Sequence, residues 1–155
     1  MKYWLMKREP DVYGIDHLRA ERQKTDHWDG IRNYEARYFM GDKMKKGDLS
    51  FFYHSNCAEP AVVGIMEIVC EAYPDHTQFD SNEKYFDAGS DPANPRWLMV
   101  DVRFRRKFKR PVTLRELKSK KRLANMRLVQ RGNRLSILPV TATEWRYILQ
   151  MAGET

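Results

Sequence analysis

The run Trp97 to Phe108 constrains this chain more than any other stretch. Leu98, Val100, Val102 and Phe104 fall on one side of an extended backbone, and Met99, Asp101, Arg103 and Arg105 on the other. A period of two is the mark of a β-strand. A strand leaves a row of backbone donors and acceptors to be paired, so the rest of the chain must supply a sheet. The candidates are Lys2 to Lys7, Leu49 to His54, Ala61 to Tyr73 and Leu135 to Val140. In the first, Trp4 and Met6 share one face and Tyr3 and Leu5 the other, with Pro10 as its stop. Gly64 inside the third marks a bulge or a close backbone approach.

Helix signals lie between and after these strands. Ile15 to Arg22 reads as a short helix, and Asn33 is placed to cap another that runs to Phe39 or Met40. Thr113 with Glu116 and Thr141 with Glu144 form two capping boxes. The second opens a helix to about Ala152, with Trp145, Ile148 and Leu149 inward and Gly153 as its stop. Asp26 to Asn33 and Pro74 to Pro95 read as loops, the second long enough to carry function. The insertions between strands are unequal and do not repeat, which argues against βαβ winding. The expected architecture is α+β: a mixed, mostly antiparallel β-barrel with peripheral helices, in a single domain over residues 1–155.

Charge narrows the partners. The formal net charge is +7, yet it is unevenly placed, because residues 103–134 hold 14 Lys or Arg and one acid, Glu116. Clustered Lys and Arg suit a polyanion, nucleic acid above all. The two cysteines, Cys57 and Cys70, suggest neither a disulfide framework nor a zinc site. The opening residues MKYWLMKREPD carry no apolar leader, so a cytoplasmic protein, or a nuclear one in a eukaryote, is expected.

Chemistry-bearing residues gather in a few places. Phe51-Phe52-Tyr53-His54-Ser55-Asn56 puts three rings before three small polar side chains, either a satisfied core or a pocket with an aromatic wall. Trp28 sits in the polar run DHWDG, as a pocket wall or as a loop anchor. Asn33 is a helix cap or a reader of a base edge. Tyr34 and Arg37 share a helix face. Trp97 divides between wall and core, and Trp4 belongs to the core. Arg131 and Arg134 flank a turn at Gly132-Asn133 that presents them to phosphate. His54 and Ser55 are strand neighbours pointing to opposite faces, so they cannot act as base and nucleophile. GxSxG, P-loop and GxGxxG motifs are absent, and the four histidines lack metal-ligand spacing, so neither catalysis nor a cofactor or metal is expected.

The segments YWLMKREP, WDGIRNYEAR, KKGDLSFFYHSN, VVGIMEIVCEAYPD, RWLMVDVRF and LSILPVT, in this order, closely resemble the EVE domain, as in the thymocyte nuclear protein family. The resemblance covers nearly the whole chain. It departs after Arg37, where Tyr38-Phe39-Met40-Gly41 stand. It implies membership of the PUA-like superfamily, a fold similar to the YTH domain, and non-catalytic binding of DNA or RNA that carries a modified base. A base held out of its stack needs flat apolar faces and a few polar groups for its edge. The resemblance therefore implies walls from Trp28, Tyr53 and Trp97, with Tyr34 beside them. Asn33, His54, Ser55 and Asn56 would address the edge, and Lys7, Arg37, Arg131 and Arg134 the nucleic-acid backbone. The rival reading is a sensor of a free modified nucleobase or nucleotide, for which one small ligand would need few charges.

Overall fold

A computed structural model describes residues 1–154. The strands are β1 (Tyr3–Arg8), β2 (Thr25–Trp28), β3 (Leu49–His54), β4 (Ala61–Pro74), β5 (Leu98–Thr113) and β6 (Ile137–Val140). They form one sheet in the order β2-β5-β4-β3-β1-β6. Only the β1–β3 pair is parallel; the other pairs are antiparallel. The helices are α1 (Pro10–Tyr13), α2 (Ile15–Ala20), α3 (Tyr34–Tyr38), α4 (Leu114–Lys118) and α5 (Ala142–Ala152), and α3 continues into a π-helical turn, Phe39–Lys43.

The local signals act as their chemistry dictates. Both capping boxes close, with Thr113 and Thr141 accepting from the backbone N–H of Glu116 and Glu144. Gly153 ends α5 with φ 72°, a left-handed turn that glycine adopts without strain. At Gly64 a β-carbon would stand 2.2 Å from the carbonyl oxygen of Arg106, so β4 and β5 can approach only at a glycine. The register of that pair shifts there.

The expected barrel does not close. β2 pairs only with β5, and β6 only with β1, so both edges stay free of each other. Trp28 of β2 and Ile137 of β6 enter the same core, but α3 and the turn after it fill the gap between them with Ala36, Met40 and Met44. Both edge strands thus share a core with helical residues instead of pairing with each other. The segment around Trp28, expected as a loop, is the short edge strand β2, which a run of Thr, Asp and His conceals because only Trp28 is fully buried.

Both faces of the sheet are covered. One core holds Trp4, Met6, Trp28, Phe52, Met66 and Val100. The other holds Leu5, Phe51, Tyr53, Val62, Phe108 and Trp145. Burying each such side chain contributes about 1.5–3 kcal/mol. The second core is roofed by α5 and by residues 117–135, whose Leu117, Leu123, Met126, Leu128 and Leu135 point inward. The basic third therefore has an apolar underside and a cationic outside.

Candidate functional site

A cleft opens where β1 and β3 end side by side. Lys7 donates its backbone N–H to Ser136 O at 2.9 Å, and Ser55 donates to Arg8 O at 2.9 Å. Those two bonds set Ser55 and Ser136 on either side of the β1 terminus. The cleft, about 350 Å³, is lined by Lys7, Arg8, Glu9, Gly30, Ser55 and Arg134, among others. A second lobe of about 290 Å³ shares Arg8, Asp29, Lys84 and Tyr85 with it and reaches Trp28.

Two interactions shape the lobe boundary. The Arg8 guanidinium lies 4.4 Å from the Trp28 ring centroid and hydrogen-bonds both the carbonyl and the carboxylate of Asp29. Beneath it, Trp28 packs edge-on against Phe52 at 5.3 Å, and its Nε1 is buried without a hydrogen-bond partner among the described residues. Lys7 is half-buried, with Nζ 5.8 Å from the Tyr53 ring, and burial pulls its pKa below the ordinary lysine value.

One carboxylate assembles the facing wall. Asp75, fully buried, accepts from Gly30 N at 2.8 Å, Arg32 Nη1 at 3.1 Å, and the backbone and hydroxyl of Thr77 at 2.8 and 2.6 Å. Burial opposes its charge, but these bonds outweigh that and hold its pKa below the usual aspartate value. Arg32 also donates from Nε to Tyr85 O at 2.9 Å, and its guanidinium lies 5.6 Å from the rings of both Tyr85 and Trp97. Gly30 has φ 81°, and a β-carbon there would come within 2.6 Å of the Tyr85 ring. The glycine thus lets the Tyr85 ring lie flat against the backbone of the β2–α3 loop.

The expected site residues divide into three groups. Lys7, Ser55 and Arg134 line the cleft, and Trp28 floors its second lobe. Tyr34 and Arg37 line a separate hollow of about 320 Å³ with residues 89–91 and 94–96. Beside it Trp97 is buried, 4.9 Å from the exposed Tyr34 ring and hydrogen-bonded through Nε1 to Asp87. Asn33 caps α3, accepting from Ala36 N.

The third group supports the fold. Tyr53 faces the second core, 2% exposed, and burial pushes its phenol up to about 12. His54 accepts the Ile15 N–H at Nε2, 3.1 Å away, and burial lowers its pKa. Asn56, with φ 49°, donates through Nδ2 to Glu9 Oε1 at 2.8 Å. Arg131 is exposed on its turn. Sequence reasoning named no role for Arg8, Glu9, Arg32, Asp75, Lys84 or Tyr85. The charged run KRE before a proline and the PD after a long strand were the available signals for Arg8, Glu9 and Asp75. Tyr85 lay within a loop recognised only as a whole.

The basic third divides as well. Arg103 and Arg105 both pair with Glu67, Arg106 with Glu154, Lys107 with Asp16, Arg110 with Glu116 and Arg127 with Glu35. Arg115, Lys118, Lys120, Lys121, Arg122, Arg131 and Arg134 are exposed and make no ion pair among the described residues. Lys109 on β5 is likewise exposed and unpaired among the described residues, but the rest of the uncompensated charge lies after β5, on the segment that returns to the cleft at Arg134.

Comparisons with known proteins bear on the family and the fold. A family model described as the EVE domain matches residues 2–151. Thymocyte nuclear protein 1 of Homo sapiens is 46% identical over 166 residues, covering 96% of this chain and 73% of that protein. The structure of human THYN1 protein in complex with 5-methylcytosine containing DNA superposes with a TM-score of 0.94 at 45% identity, over 100% of this chain and 99% of that one. The YTH domain of Zygosaccharomyces rouxii MRB1, solved in complex with N6-methyladenosine RNA, is 15% identical with a TM-score of 0.55 over 97% of this chain and 86% of that one, a likeness of fold alone.

Proposed function

The chain belongs to the EVE domain family, and from that premise we propose that it binds nucleic acid and receives one modified base in the cleft at the end of β1. The observation that carries this reading is the cleft itself. Lys7, Lys84 and Arg134 stand around it and make no ion pair among the described residues, next to the Tyr85 ring and the floor at Trp28. Cations at the rim suit phosphates, and a ring wall suits a base, since stacking contributes about 1–3 kcal/mol per base. The complex of the human relative with 5-methylcytosine containing DNA supports the same ligand class.

The aromatic wall differs from the sequence-based expectation. Tyr85 and Trp28 furnish it, while Tyr53 serves the core and Trp97 is buried beside the neighbouring hollow. The Trp28 Nε1, buried without a hydrogen-bond partner among the described residues, is a donor that a ligand acceptor would satisfy. The role is one of binding. A free-nucleobase sensor is the lesser reading, because the uncompensated cations from Arg115 to Arg134 exceed what one small ligand needs.

The test is a pair of oligonucleotides identical except for 5-methylcytosine or cytosine at one position, titrated across a range of salt. The methylated strand should bind more tightly, and both should weaken steeply as salt rises. Equal affinity for the pair, or no salt dependence, would remove the proposal.

A further inference from the structure

Resting on the cleft reading above, we infer that Glu9 reads the exocyclic amino group of the bound base, making it the residue that selects an amino-bearing base over a keto one. A carboxylate stands where a polyanion site should have none. Lys7, Arg8, Lys84 and Arg134 share the cleft with Glu9, yet Glu9 makes no ion pair among the described residues. A negative charge there repels phosphate, so its presence favours a ligand that brings a hydrogen-bond donor.

Glu9 is also held rigidly. Its carbonyl accepts from Val12 N at 3.0 Å and Tyr13 N at 2.9 Å at the start of α1, and Pro10 fixes the next backbone angle. Its side chain is held from the turn after β3, where Asn56 donates to Oε1 at 2.8 Å. Asn56 does this from a left-handed conformation that a non-glycine residue adopts only under local constraint. Oε1 is thereby engaged and Oε2 keeps its accepting capacity. The other carboxylates of the cleft differ: Arg8 already engages Asp29, and Asp26 in the second lobe accepts from the Tyr13 hydroxyl and the His27 backbone N–H. Glu9 is thus the acidic acceptor in the cleft with capacity to spare. Carboxylates accept from the N4 amino group of cytosine, and a keto oxygen in the same place meets repulsion.

The experiment uses duplexes carrying 5-methylcytosine or thymine at one position, each opposite an abasic site, so that pairing energy does not differ. The two bases share ring and methyl group and exchange an amino for a keto group. The full chain should favour 5-methylcytosine by about tenfold or more. Glu9→Gln keeps an oxygen for Asn56 and turns the other acceptor into a donor. It should bring the ratio to about one or invert it, while the slope of binding against salt barely changes. Circular dichroism would confirm that the variant folds. A Glu9→Gln ratio equal to that of the parent would overturn the role of Glu9 and leave the cleft reading standing. Failure of the parent to bind either duplex would remove the cleft reading itself, and this inference with it.

Discussion

β1 and β3 run parallel and end together, yet they serve opposite purposes. The end of β1 is Lys7-Arg8-Glu9, three charged side chains that face a cleft. The end of β3 is Tyr53-His54-Ser55-Asn56, of which only Ser55 lines it. Tyr53 is core, His54 braces α2 through Ile15, and Asn56 holds Glu9 from behind. The difference lies in position within the sheet. β3 is the inner strand, flanked by β1 and β4, so its rings are consumed by the two cores. β1 has the short β6 on its other side, whose last link to β1 is the Lys7 N–H bond to Ser136 O, so Arg8 and Glu9 run on beyond that ladder. Aromatic density marks where a sheet is thickest, and the ligand-facing groups sit where its ladder runs out.

The strongest way to break that contrast is Phe51→Ala. The ring stacks on Trp145 at 3.9 Å and is fully buried, so its loss should destabilise the fold by about 3–5 kcal/mol in urea unfolding. A loss below about 1 kcal/mol would mean that β3 is not the packed strand described. Next is His54→Ala, which orphans the Ile15 N–H and should cost about 1–3 kcal/mol. It carries a pH signature. Burial lowers the folded-state pKa of His54, so the unfolded chain takes up its proton first as pH falls. The stability tied to neutral His54 is present above about pH 6.5 and is lost as pH falls through the folded pKa. Unfolding midpoints measured from pH 8 down to pH 5 should lose that component of their slope in the variant. The smallest effect on stability belongs to Lys7→Ala, within about 0.5 kcal/mol. The same change should cut the salt slope of nucleic-acid binding by about one. Unchanged salt dependence would return β1 to a structural role.

Much of the fold was legible because its signals are local. The alternation of Trp97 to Phe108, the capping boxes at Thr113 and Thr141, the stop at Gly153 and the close approach at Gly64 each act over a few residues. Closure of the sheet was not legible, since it depends on whether α3 or a strand ladder occupies the space between β2 and β6. The site was half-legible for a related reason. Lys7, Ser55, Arg134 and Trp28 came from segments that looked unusual by themselves. Arg32 and Tyr85 owe their places to Asp75, across 43 and 10 residues of chain, and no short window displays such a connection. The basic run shows the same limit: its carboxylate partners Asp16, Glu35, Glu67 and Glu154 lie outside it, so its effective charge emerges only in three dimensions.

Asp75 ties the loop after β2 to the loop after β4 through a single side chain. Neither loop can settle alone, because the loop after β2 supplies Gly30 and Arg32 as donors that keep Asp75 ionised in a dry interior, and the loop after β4 supplies Asp75, Thr77 and Tyr85 as acceptors for Arg32. The two walls of the cleft must therefore rise and collapse as one cooperative unit. A partly folded chain would carry the cations of its basic segment without any slot to discriminate with. Because its hydrogen bonds hold the Asp75 pKa below the usual aspartate value, the slot should survive mild acid and fail only as pH falls below the ordinary aspartate range, leaving a sticky but illiterate polycation.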